Sequence, residues 1–181
     1  MTGETPHQGR TASAVAPAGA DGVSEAEYRL AMRRVISPVA VITSVSGTER
    51  NGLTVTAICS ATTEPPTLLV CVNNEARALR LIEESGRFAV NFLSDEQSEL
   101  ARVFSTRGLA GETRLQLGSW TTLATGAPVL NDCVSAFDCE MTSNIPCGTH
   151  RVILGRVVAL SSSDDNALLY RDGFFRRIAP E

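Results

Sequence analysis

Residues 39–72, VAVITSVSGTERNGLTVTAICSATTEPPTLLVCV, decide the fold. Residues 39–46 are rich in β-branched side chains, residues 47–52 carry turn formers, and residues 53–62 are β-branched again, so two antiparallel strands are expected. Glu64-Pro65-Pro66 breaks the run, because proline cannot donate to a strand ladder. Residues 67–72 then read as a buried strand ending at Asn73-Asn74.

On the amino-terminal side, Ser24 and Glu27 have capping-box spacing, and Tyr28, Ala31, Met32, Val35 and Ile36 recur at helical intervals. An amphipathic helix stopped by Pro38 is predicted. On the other side, residues 75–84 place Ala78, Leu79 and Ile82 on one face and end near Gly86, which predicts a short helix. Residues 88–93 alternate as a strand. Ser94 and Gln97 form a second capping box, opening a helix with Leu100, Val103 and Phe104 on one face.

Residues 105–132 scatter Gly108, Gly111, Gly118, Gly126 and Pro128 among weak apolar pairs, so an ordered but irregular excursion is expected. From Cys133 the two-residue period returns, with Phe137, Cys139 and Met141 facing one way and Asp138, Glu140 and Thr142 towards water. Residues 151–160 make a longer strand, Asp164 to Asn166 a turn, and residues 168–170 pair with residues 174–178 through Asp172-Gly173. Roughly seven strands and a few helices joined by tight turns favour a mainly β antiparallel barrel over a parallel α/β sheet.

The chain has 181 residues, 43% hydrophobic and 20% charged, which suits one globular domain. Residues 1–23 contain no Leu, Ile or aromatic side chain, so they read as a disordered tail before a domain of residues 24–181. The tail lacks the apolar core of a secretory signal, and a cytoplasmic location is expected. A net charge of −4 gives no attraction to phosphate backbones or anionic lipid, and no apolar run nears the roughly 20 residues of a membrane span. Neither nucleic acid nor membrane is an expected partner. The five cysteines lack a CxxC pair and suggest reduced thiols, with Cys59, Cys71 and Cys139 buried in apolar runs and Cys147 in a turn open to reaction.

The two histidines, His7 in the tail and His150, rule out a two-histidine metal site in the folded part, and no metal is expected. No G-x-S-x-G, G-x-x-x-x-G-K or G-x-G-x-x-G motif is present, so hydrolase and nucleoside-triphosphate chemistry lose their usual signatures. A pocket of backbone and small polar groups around a cofactor remains.

Residues 51–62 (NGLTVTAICSAT), Glu64-Pro65-Pro66 and Val70-Cys71-Val72-Asn73 resemble the flavin-binding core of the short-chain flavin reductases. Phe88-Ala89-Val90-Asn91, residues 100–104 (LARVF), Gly148-Thr149-His150, Gly155-Arg156-Val157 and residues 169–175 (LYRDGFF) follow in the same order. The resemblance implies a homodimeric FMN-binding split barrel that reduces FMN or FAD with NADH or NADPH and hands the product to a separate monooxygenase. It implies that Thr54, Val55, Thr56 and Ala57 line the isoalloxazine edge. Ser60, Asn73, Asn74 and Arg77 would hold the ribityl chain and phosphate, with Phe104 beside the flavin and His150 positioning the nicotinamide. Tyr170, Phe175 and Arg177 would form a rim. A flavin-binding electron carrier or sensor on the same barrel is the alternative, and it needs no His150.

Overall fold

The computed structural model describes residues 22–178, and these fall into two compact units divided between Met32 and Arg33. The expected tail lies outside the described residues as far as residue 21. The first unit holds helix α1 (Glu25–Met32). Its capping box forms as expected: the Glu27 amide donates to Ser24 Oγ at 3.3 Å, and the Ser24 amide donates to the Glu27 carboxylate at 3.0 Å. The helix is shorter than its apolar spacing suggested. β-branched Val35 and Ile36 lie beyond its end, and the residue before a proline disfavours helical backbone, so Ser37–Pro38 is a short strand, β1.

The second unit continues with strands β2 (Ala40–Ser46), β3 (Glu49–Val55), β4 (Ile58–Thr63) and β5 (Pro66–Asn73), then helix α2 (Arg77–Ser85) and strand β6 (Arg87–Phe92). Helices α3 (Ser98–Ser105) and α4 (Gly111–Leu115) and strands β7 (Trp120–Thr122) and β8 (Pro128–Leu130) come next. Two long strands, β9 (Ser135–Cys147) and β10 (His150–Ser162), precede the hairpin of β11 (Leu169–Arg171) and β12 (Phe174–Arg176). Seven strands form one antiparallel sheet in the order β3-β2-β6-β9-β10-β5-β4; β1, β11 and β12 form a second sheet, and β7 pairs with β8.

The second β-branched run, expected as one strand, is two. β3 stops at Val55 and β4 starts at Ile58, and these strands are the opposite edges of the seven-stranded sheet. Only Thr56 and Ala57 join them, so the sheet curls until its edges meet at that point, with no ladder between β3 and β4.

Two apolar cores follow from strand alternation. Val39 and Val41 pack with Leu100, Phe104 and Leu130 on one face, while Ala40 and Ile42 pack with Val70, Leu79, Ile82 and Phe88 on the other. The central strands are buried on both sides, which is why β2 reads as a nearly continuous apolar run.

The excursion expected over residues 105–132 contains α4, β7 and β8, and buried polar groups fasten it. The fully buried Asn91 donates to Val41 O at 3.0 Å and accepts from the Leu130 amide at 2.8 Å, and Thr43 donates to Pro128 O. Asp138, expected on a wet face, is fully buried and accepts from the Thr125 amide at 2.7 Å and from its hydroxyl. Those two donors replace the water that alternation had assigned to it.

β10 shifts register against β9 between Leu154 and Gly155. A Cβ at Gly155 would lie 2.3 Å from the Phe88 ring, so the absent side chain is the space the ring fills. Gly155→Ala is expected to lower stability by about 1–3 kcal/mol through overpacking, measured as a lower urea midpoint with an unchanged slope.

Candidate functional site

A cavity of about 390 Å³ opens where β3, the end of β5, the start of α2 and the end of α3 converge. This is within the size range, roughly 300–1,000 Å³, of small-molecule sites. β3 contributes Asn51, Gly52, Leu53 and Thr54, β5 ends in Asn73, and α2 opens with Arg77 and Ala78. Phe104, almost fully buried and stacked at a tilt on Trp120 with centroids 5.5 Å apart, closes one wall. The segment from Ser105 to Leu109 and Arg114 of α4 complete it.

The local chain explains these placements. The Asn73 side-chain oxygen accepts from the Glu75 amide at 2.8 Å, an Asx-turn that swings the chain from β5 into α2. Ala76 stands at the N-cap of α2 with no side chain to accept from its first amides. The positive end of the helix dipole is therefore left open at the cavity. Thr54 donates its hydroxyl to Ala101 O at 2.7 Å, joining β3 to α3 and leaving its oxygen only as an acceptor.

Cationic charge dominates the lining. Arg77, Arg107 and Arg114 face one carboxylate, Glu75. Among the described residues no hydrogen bond or ion pair occupies Arg77 or Arg107. Burial first, and the Arg77 charge second, push the Arg114 guanidinium below its ordinary value. A guanidinium stays protonated in proteins, so the arrangement favours a bound anion rather than a neutral arginine.

Of the residues singled out from sequence, Thr54, Asn73, Arg77 and Phe104 meet in this cavity. Val55 is buried in the apolar core, Thr56 and Ala57 form the β3–β4 link, and Ser60 is exposed on β4. Asn74 donates to Gly148 O at 3.1 Å, and its amide donates to Thr149 O at 3.0 Å, so it ties the β9–β10 turn to the start of α2. His150 is half-buried on β10, directly opposite Asn73 in register, with Nδ1 2.9 Å from Thr149 Oγ1. Tyr170 and Phe175 pair edge to face on the smaller sheet, Arg102 lies over Phe175 at 5.1 Å, and Arg177 bridges to Glu96 at 3.0 Å. Those three do not line the cavity. Asn51, Arg107 and Arg114 do, and sequence reasoning missed them. The only signal for the arginines was basic residues inside the glycine-rich excursion. Among the described residues no cluster of three or more His, Cys, Asp or Glu side chains is placed to hold a metal ion.

Residues 32–179 match the family model described as "Flavin reductase like domain". The chain is 43% identical over 138 residues to the FMN reductase (NADH) RutF of Bradyrhizobium diazoefficiens, covering 76% of each protein. It is 36% identical over 166 residues to that of Serratia proteamaculans, covering 91% of this chain and 94% of the relative. Among solved structures, the NADH:FAD oxidoreductase SgcE6 of Streptomyces globisporus C-1027 superposes with a TM-score of 0.80 at 25% identity, covering 93% of this chain and all of that one. BorF, the flavin reductase component of a bacterial two-component tryptophan halogenase, superposes with a TM-score of 0.79 at 26% identity, covering 87% and 100%.

All five cysteines are free. Cys59, expected in the interior, is exposed, because β4 is an edge strand and its side chain lies opposite Leu69 rather than inside. Burial pushes Cys133 up to about 11 and Cys139 up to about 12. Near neutral pH a disulfide reagent is expected to take Cys59 and Cys147 rapidly and the two buried thiols only on unfolding. The stability that the buried thiols contribute is intact below their unfolded value near 9.0 and is lost as pH climbs towards 11 and 12. Stopped-flow thiol titration with and without denaturant, and urea midpoints across alkaline pH, check both statements.

Proposed function

This chain belongs to the flavin reductase like domain family and is an NADH-dependent flavin reductase; from that premise we propose that the cavity at the start of α2 takes the flavin and lets the reduced product go. The observation that carries this reading is the pairing of an uncapped helix N-terminus with Arg77 and Arg107, which have no partner among the described residues, in the lining of a 390 Å³ pocket. That donor set suits a flavin phosphate: amides and a dipole at a helix start favour an anion, and a guanidinium can donate to two of its oxygens at once.

When bound, flavin supplies the redox chemistry, taking a hydride from the nicotinamide with a proton from solvent while NADH becomes NAD⁺. The protein's part is to bind, orient and keep water out. Arg77 and Arg107 hold the phosphate, and Asn73 and Thr54 offer polar contacts along the flavin's length. Phe104 supplies an apolar wall. Val55 at the end of β3, Thr56 and Ala57 in the link and Ser60 on β4 carry the chain onward from Thr54 towards the isoalloxazine, Asn74 fixes the turn that precedes His150, and Tyr170, Phe175 and Arg177 form an outer rim. His150 donates to the nicotinamide carboxamide and sets its orientation; hydride transfer needs no protein acid or base, only proximity.

The curled sheet, with edges that meet at Thr56-Ala57 without pairing, supports a split barrel. The outward faces of β9, β10 and β5 place Ile145, Val152 and Cys71 in line, and Ile145 is 52% exposed, which supports a homodimer formed there. BorF serves a halogenase, and one structure of a nitrilotriacetate monooxygenase component B homolog from Mycobacterium thermoresistibile is similar to this chain; the same division of labour gives this enzyme a separate monooxygenase as consumer of its reduced flavin. Five free thiols suit a cytoplasmic setting. No helix of the described residues is long and apolar enough to cross a membrane.

Steady-state NADH and NADPH oxidation with FMN, FAD and riboflavin tests the reading. Protein that oxidises NADH only when flavin is added supports it; protein that binds flavin and leaves NADH untouched would be the carrier or sensor instead. Arg77→Gln is expected to raise the FMN KM about tenfold or more by removing a charged hydrogen bond, with little change for riboflavin. His150→Ala should raise the NADH KM more than it lowers kcat.

A further inference from the structure

Arg114 is the most heavily engaged side chain at the cavity, and none of its bonds goes to another side chain. It is 8% exposed. Nη1 donates to Phe104 O and, at 3.4 Å, to Val103 O; Nη2 donates to Thr106 O at 2.6 Å; Nε donates to Leu109 O at 3.4 Å. A guanidinium has five N–H groups. Four are spent on carbonyls, so the group cannot present a two-pronged face to a ligand. It acts through the segment it grips.

That segment runs from the last turn of α3 to the start of α4. The Val103 and Phe104 carbonyls are acceptors at the end of α3, where Val103 O also accepts from the Thr106 amide at 3.2 Å, and a cation there also opposes the negative end of the dipole. Between the gripped carbonyls of Thr106 and Leu109 lie Arg107 and Gly108, the latter at φ +81°. Arg107 thus sits at the apex of a loop pinned on both sides. The grip is anchored from behind as well. A Cβ at Gly111 would stand 1.8 Å from Arg50 O, and Arg50 makes a two-pronged bridge to Glu112 at 3.0 and 2.6 Å, so α4 lies hard against β3.

We propose that Arg114 is a positioning residue that holds Arg107 over the cavity and thereby sets the enzyme's preference for phosphorylated over unphosphorylated flavin. The proposal rests on the assignment of the cavity's cationic end to the flavin phosphate. Lysine at position 114 keeps the charge and the stem but is a single point donor that cannot span four carbonyls. Arg107 is left free to swing.

The experiment compares the KM values for FMN and riboflavin, at saturating NADH, in the wild type, Arg114→Lys, Arg107→Gln and the double variant. Each single variant is expected to lose about tenfold of the FMN preference, as for one charged hydrogen bond, with the change falling on KM for FMN more than on kcat. The double variant is expected to lose no more than either, because both act through one contact. Gly111→Ala, which lifts α4 away from Arg50 and keeps Arg114, gives the same loss and carries the test if Arg114→Lys does not fold. Retention of the wild-type preference by Arg114→Lys or by Arg107→Gln, or losses that multiply in the double variant, overturns the proposal. A wild type that takes FMN and riboflavin equally well overturns the phosphate assignment itself, which separates failure of the premise from failure of the clamp.

Discussion

The two-residue link of Thr56 and Ala57 between β3 and β4 governs the rest of the structure. Two strands adjacent in sequence are the far edges of a seven-stranded sheet, so the sheet has to bend until those edges come within two residues of each other. Curling puts the end of β5 and the start of α2 beside β3, and the cavity is the gap left there. Strand twist alone would not bring Asn51 and Asn73 to the same pocket; the short link does.

Much of this was legible in the sequence. The β-branched content of residues 39–46, the Pro65-Pro66 break and the Asp172-Gly173 turn each state a local geometry that the tertiary structure keeps. The split of the second β-branched run was not legible, because Thr56 and Ala57 are acceptable strand residues and only long-range pairing excludes them from one. Asp138 was misread for a related reason: alternation assigns a face, while whether that face meets water depends on Thr125, distant in pattern though near in chain. At the site, Thr54, Asn73, Arg77 and Phe104 could be named because the segments that carry them resemble those of the short-chain flavin reductases. Arg114 could not, since its significance lies in which carbonyls happen to converge on it.

The polar interior divides into two kinds. Asn91, Thr43 and Asp138 are satisfied by backbone or neighbouring donors and fasten the β7–β8 hairpin to the sheet. They rigidify one core. The arginines at the cavity are of the other kind: Arg114 is satisfied, and Arg77 and Arg107 have no partner among the described residues, so one fixed charge stands with two available ones. Such an arrangement is preorganised for an anion and repels a cation.

Ala76 closes the argument from the side of stability. A serine or aspartate at that position would cap α2 and strengthen the fold by about 0.5–2 kcal/mol, as N-caps generally do. The chain forgoes it. A side-chain oxygen at residue 76 would compete for the first amides of α2, beside the cavity that Ala76, Arg77 and Ala78 line, with whatever anion binds there. The start of α2 thus trades helix stability for access to an anion, and optimising the isolated helix would work against the enzyme.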